Sequence, residues 1–345
     1  MTEPSKPVVQ QGLWHRYAWV AYAAVFVGVI GHASSEFVAK LISENSTING
    51  PEISVWRFFL GGVGLVGLAL ILPSSRDLVT PMKQDGWTLL AFSFFGVALA
   101  YLFFHWSLDY ASVPQVATVV TTAPIFVGLI NMVVNKVPIS TAKLVSGFGA
   151  VLAVAFLVTD GAVSALAGSA ESLIGIVFAI LCAAFMSVYL VLAKPYIAKY
   201  GALRMTAITL FLGGLMLWVG VGALFGRWVD FTSIATIAPV AAIAIVVIAL
   251  YNTTLTQWLW IGGLAAAPDI TRAMYLFFLK PVIAAGLAVV FLGTELTVWQ
   301  VLAITVICGA VFLEAYWDRF FPSTAQAQSN GDPSGKDEAP GASKG

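Results

Sequence analysis

Ten stretches of this chain are apolar for close to the ~20 residues a helix needs to cross about 30 Å of hydrocarbon. That feature restricts the fold to an all-α integral membrane protein with ten transmembrane helices. The stretches are residues 17–41, 53–72, 87–108, 113–134 and 141–158, then 173–193, 205–224, 240–261, 271–292 and 299–317. The connections hold turn and cap residues, as in Asn45 to Pro51, Pro73 to Ser75 and Gly226 to Asp230. None is long enough to form a soluble catalytic domain.

Composition agrees with lipid as part of the solvent: 59% of residues are hydrophobic, 10% are charged, and the mean hydropathy is +0.91. Seventeen Lys and Arg balance seventeen Asp and Glu, which leaves no basic surface for nucleic acid. The expected partners are a small-molecule substrate and membrane lipid, with the chain a monomer or a weak homodimer. Cys182 and Cys308 lie inside apolar runs, where thiols pack as small hydrophobes. No cofactor and no metal are expected.

Residues 1–16 read as a cytoplasmic tail with Pro4 and Pro7. The run after it has no small-residue cleavage site, so it is expected to remain as the first span. With that end inside, eleven basic residues near the spans share the cytoplasmic side, among them Arg16, Arg76, Lys143, Lys194 and Arg272. Lys40 and Arg227 fall outside. This asymmetry predicts a multi-pass protein of a bacterial inner membrane with both termini cytoplasmic. From Pro322 the chain turns to Ser, Gly, Pro, Ala and charge, and residues 320–345 are expected to be a disordered tail.

The chain also repeats itself. Ala123-Pro124-Ile125 is echoed by Lys280-Pro281-Val282 at a separation of 157, which also joins Ile139-Ser140 to Leu296-Thr297. Phe59-Leu60-Gly61-Gly62 returns as Phe211-Leu212-Gly213-Gly214 after 152 residues, and Ala39-Lys40 as Ala193-Lys194 after 154. Three echoes in one order predict two five-helix repeats, 17–158 and 172–317. Five is odd, so the repeats are inverted, an arrangement that places a substrate site near the midplane between halves.

On these residues the chain resembles the EamA-type branch of the drug/metabolite transporter superfamily. The resemblance rests on the ten-span layout, on Tyr110-Ala111-Ser112-Val113-Pro114 through Ala123-Pro124-Ile125-Phe126, and on Lys280-Pro281-Val282 through Leu292-Gly293-Thr294-Glu295-Leu296-Thr297. The last stretch is similar to the family's Gly-Glu helix end with Thr294 inserted. The matching stretch of the first half, Asn135 to Ser140, has no glutamate. The resemblance implies a secondary transporter, often an exporter, of amino acids, organic acids or related metabolites, working by alternating access and open to proton coupling. It does not imply an enzyme.

A charge at the centre of a span costs about 2.5 to 3.5 kcal/mol on insertion scales, which singles out Lys280 in the middle of the ninth span. Its functional reading is an anchor for an anionic substrate group; its bland reading is a static ion pair. Tyr275, Asn252 and Gln257 are further substrate-binding candidates, and helix–helix hydrogen bonds explain the two amides as well. Pro124 and Pro281 cannot donate to the carbonyls of Val120 and Phe277, which predicts paired kinks, as hinges or as packing devices. His32 and Glu36 share a helical face, as do His105 and Asp109. Glu36, His32 and His105 are the proton-coupling candidates, with Asp109 read as a solvated cap.

Arg57 reads as a head snorkelling to water or lipid phosphate, with a reserve role beside Glu36. Trp106, Trp258 and Trp260 read as an aromatic belt near span ends. Gly61, Gly62, Gly64, Gly213 and Gly214 read as sites of close helix packing. Two competing readings are an intramembrane enzyme built on the His and carboxylate groups, and a scaffold or sensor that transports nothing. The first lacks any HExxH, phosphate loop or serine elbow.

Overall fold

The computed structural model describes residues 17–111, 113–159, 161–162, 170–292 and 295–320. The expected N-terminal tail 1–16 and all but the first residue of the expected C-terminal tail lie outside the described residues. Ten helices among those described are long and apolar enough to cross a membrane. They are α1 (Ala18–Glu44), α2 (Gly50–Ile71), α3 (Val79–Ala91, Phe92–Leu99 and Ala100–Tyr110), α4 (Val113–Val120 and Ala123–Asn135) and α5 (Thr141–Thr159). The second five are α6 (Ala170–Tyr200), α7 (Ala202–Phe225), α8 (Pro239–Ala249, Leu250–Leu255 and Thr256–Ala266), α9 (Ile270–Met274, Tyr275–Leu279 and Lys280–Leu292) and α10 (Val298–Phe320).

Local chemistry accounts for the ends. Asn49 and Glu52 form a reciprocal capping box at the start of α2, with Pro51 in its first turn, the arrangement that satisfies two orphan backbone donors at once. Gly226 takes a left-handed φ of 66° after α7, where a Cβ is penalised. Several helices outrun their apolar stretches. Helix α6 passes through Pro195 without ending and continues to Tyr200, and Lys199 Nζ there meets Asp85 Oδ2 of α3 at 2.8 Å. Hydropathy stops at the edge of the hydrocarbon, whereas an amphipathic helix continues beyond it.

The halves interlock as mirror pairs. The most extensive crossing joins α1 to α8, the next α2 to α7, and α3 packs on α6 as α5 packs on α10. At the α2–α7 crossing the glycine echo is reciprocal. A Cβ on Gly62 would stand 2.5 Å from Phe211 Cα, and one on Gly214 would stand 2.7 Å from the Phe58 carbonyl carbon. Bare backbone is the only surface that fits on either side. The outer surface is apolar, with Phe148 62% and Val290 75% exposed, as lipid-facing positions are when no aqueous interface exists to cover them.

Candidate functional site

Four spans carry local irregularities, and they fall at equivalent places in the repeats. Helix α4 breaks at Thr121-Thr122, directly before Ala123-Pro124. Helix α9 narrows to a 3₁₀ segment, Tyr275–Leu279, directly before Lys280-Pro281. Both prolines thus sit in the first turn of a new helical segment, where the missing N–H costs nothing. Helices α3 and α8 each contain a π segment, Phe92–Leu99 and Leu250–Leu255. In α8 the widened turn is stitched by threonines: Thr253 Oγ1 donates to the Ile248 carbonyl at 2.8 Å, Thr254 Oγ1 to Ala249 at 3.1 Å and Thr256 Oγ1 to Tyr251 at 2.9 Å. Such insertions recur at functional sites because they redirect side chains and free backbone acceptors.

The π segment of α8 lies at the middle of a polar cluster. Helix α1 reaches it closely because Gly31 has no side chain; a Cβ there would overlap Thr256. Asn252 Nδ2 donates to the Gly31 carbonyl and to Ser34 Oγ, both at 2.8 Å, and its Oδ1 is buried with no partner among the described residues. From α2, Arg57 Nε donates to Thr253 Oγ1 at 3.2 Å. His32, 8% exposed, stands edge-on to Trp260 with ring centroids 4.8 Å apart and to Phe277 at 6.1 Å. Among the described residues its Nε2 is buried and unpartnered, as is Trp260 Nε1. Lys280 Nζ lies 5.8 Å from the Phe277 ring centroid, and both Lys280 and Arg57 act electrostatically on the imidazole. Buried polar atoms without a partner are rare in folded proteins, and three of them gather here.

A second group of charges occupies the end of the bundle where α1, α5 and α9 begin. Lys143 of α5 pairs with Asp269 in the α8–α9 connection, and the Tyr275 hydroxyl donates to the Lys143 carbonyl. Asp269 Oδ1 also accepts from the Arg272 N–H at 3.1 Å, which caps α9. Burial alone raises the Asp269 carboxyl, but the Lys143 ammonium and the Arg272 and Thr271 N–H groups outweigh it and hold it below the ordinary carboxylate range. Arg272 Nε meets Glu314 Oε1 of α10 at 3.1 Å, and Lys194 Nζ donates to the Ala267 carbonyl at 2.8 Å.

Set against the sequence, Lys280, His32 and Asn252 converge, while Gln257 Nε2 meets Tyr101 Oη at 3.1 Å at the edge of the same region. Tyr275 packs in a separate group with α5 and α10, and its hydroxyl serves the Lys143 contact. The side chains of Glu36, His105 and Asp109 lie outside the described residues. Two expectations are corrected. Arg57 does not snorkel outward; it turns across the bundle to the α8 π turn. Trp260 is not part of a belt but 1% exposed beside His32, because α8 runs on to Ala266 and places this indole well inside the span. Membership of the cluster depends on helix crossings, which one-dimensional hydropathy does not record.

The EamA-like transporter family matches twice, over residues 19–159 and 173–315. An uncharacterized transporter of Clostridium kluyveri is 21% identical over 295 residues, which cover 85% of this chain and 90% of that protein. A crystal structure of a protein 16% identical to this chain superposes with a TM-score of 0.75, covering 89% of this chain and all of that one. At that identity it speaks for the fold alone.

Proposed function

Because the chain belongs to the EamA-like transporter family, and is a multi-pass membrane transporter, we propose that it moves a small carboxylate-bearing metabolite, an amino acid or organic acid, by alternating access. The observation that carries this reading is the position of Lys280. Its ammonium stands at a helix break in mid-span, beside Phe277 and within the field of His32. In that low-dielectric setting a cation attracts a carboxylate far more strongly than in water. Arg57 adds a second cation from the opposite half, Trp260 and Phe277 offer an apolar wall, and His32 Nε2 and Asn252 Oδ1 supply hydrogen-bonding atoms of either polarity. Carrier sites combine these parts: an apolar lining and a few converging polar groups.

The breaks in α4 and α9 give each half a compliant point at the depth of the cluster, and rocking of one half against the other would expose it to each side in turn. We place His32 as the group that takes up a proton during export once an anionic substrate stands between it and the Lys280 ammonium, since a neighbouring negative charge favours the imidazolium. Counterflow of radiolabelled amino acids and organic acids in proteoliposomes tests the proposal. Exchange of at least one anionic substrate is expected, and Lys280→Met should abolish it while leaving the protein folded. Normal exchange by that variant removes Lys280 from the mechanism.

A further inference from the structure

The charged group where α1, α5 and α9 begin joins the two halves, and its parts are unequal. Lys143 belongs to the first repeat and Asp269 and Tyr275 to the second. The Lys143 side chain is 11% exposed and Asp269 34%, whereas Lys199, which also bridges the halves at this end through Asp85, is 51% exposed with its carboxylate at 23%; the ammonium is the withdrawn partner in the first pair. A pair withdrawn from water is screened less and holds more firmly than an exposed one. Lys143 is bound twice to the start of α9, once through its ammonium and once through its carbonyl. Asp269 is at the same time the cap of α9. Between this anchor and Lys280 lie only one helical turn, Ile270–Met274, and the 3₁₀ segment Tyr275–Leu279. At the echo separation of 157 the counterparts of Lys143 and Asp269 are Gln300 and Ser112, so the opposite end of the bundle has no charged equivalent at these positions.

We infer that the Lys143–Asp269 pair, braced by the Tyr275 hydroxyl, is a latch that closes the transporter at the end bearing its termini and must part before the central cluster can exchange with that side. The inference rests on the carrier reading, because a latch of this kind regulates access to the same site. Asp269 is the positioning residue: it sets where α9 begins, and α9 carries Lys280. Parting of the pair would free the first turn of α9 to swing on the 3₁₀ segment while Arg272–Glu314 keeps α9 tied to α10. Closure at this end is thus made by an ion pair between repeats, and the moving part is the first turn of α9, since α10 stays packed on α5.

The experiment uses the full chain in proteoliposomes, with Cys182→Ala and Cys308→Ala as background. One reporter, Thr271→Cys, lies beside the latch; the other, Ile234→Cys, lies at the opposite end. Each is labelled by a membrane-impermeant maleimide. Asp269→Asn retains the capping acceptor but loses the charge, and Lys143→Gln removes the partner. Either should raise labelling at position 271 about fivefold, the population shift that loss of a modest ion pair brings, while position 234 stays unchanged. Lys143→Arg should restore the parental rate. Unchanged labelling at 271 in both latch variants overturns the latch, and so does an equal gain at both reporters, which marks general loosening. A gain confined to 271 in a protein that exchanges no substrate supports the latch as a closure and sinks the carrier reading instead.

Discussion

The crossing of α1 with α8 and the crossing of α6 with α3 hold equivalent places in the two repeats, yet their chemistry differs. His32, Arg57 and Lys280 surround the first. Their counterparts, at the echo separations of 154, 152 and 157, are Met186, Thr209 and Ala123, all buried. The second crossing is closed by aromatic packing: Phe95 stacks on Phe185 at 5.8 Å, Phe103 on Phe185 at 6.0 Å, and Tyr189 Oη bonds Thr209 Oγ1 at 3.0 Å. Both crossings build the same scaffold, so the scaffold does not require charge at these positions. Packing of the scaffold therefore does not account for the cost of about 2.5 to 3.5 kcal/mol per intramembrane charge at the first crossing.

If the repeats share one scaffold, Gly62→Leu and Gly214→Leu must be equally damaging, because each places a side chain against backbone of the opposite half. Each should destabilise by about 3 kcal/mol or prevent folding, measured by thermal unfolding in detergent, while Gly149→Leu, which faces open space, should be silent. A large difference between the two would mean that the crossing is not reciprocal. His32→Leu should lower substrate exchange about tenfold, the worth of a charge-assisted hydrogen bond near 1.5 kcal/mol. Met186→Leu, which keeps apolar volume, should leave exchange unchanged.

Smaller effects follow. Asn252→Leu removes the amide bonds to Gly31 and Ser34 and should cost about 1 kcal/mol of stability, the usual worth of a hydrogen bond between membrane helices. The smallest is a null result with a definite sign. Asp269 has a depressed pKa in the latched state, so the stabilisation it gives is fully present above its unlatched value and is lost only as pH falls through the latched one. Around it stand Lys143, Lys194, Arg272, Tyr275 and Glu314. Labelling at position 271, taken relative to position 234 at each pH because the thiolate is the reacting form, should accordingly stay flat between about pH 5.5 and 8, above the ordinary carboxylate range. A rise across that window would assign the latch to another group.

Much of the scaffold was legible without coordinates. The ten spans, the two five-helix repeats and the family resemblance follow from run length and from three short echoes. The prolines marked where α4 and α9 break, since a ring without an N–H imposes that locally. The same rule misleads at Pro195, which α6 passes through, because local strain is absorbed when neighbouring packing holds the helix together. Lys280 stood out because its cost inside hydrocarbon is a property of one residue. Arg57 and Trp260 did not, because a side chain near a span end has two directions to take and only the crossing partners select between them. The Lys143–Asp269 pair was equally hidden, being two ordinary surface charges in sequence.

Sequence alone therefore determined the solvent, the number of spans and the duplication, since apolar length and self-similarity are written along one dimension and lipid reads them directly. Tertiary structure decided which of the polar residues meet, that the π turn of α8 gathers Arg57, Gly31 and Ser34 while His32 packs on Trp260, and that Lys143 reaches across to Asp269. The reason is geometric: contacts between helices depend on rotation and crossing distance, and in this chain those are set by glycine contacts and helix irregularities that bring together residues up to 221 positions apart.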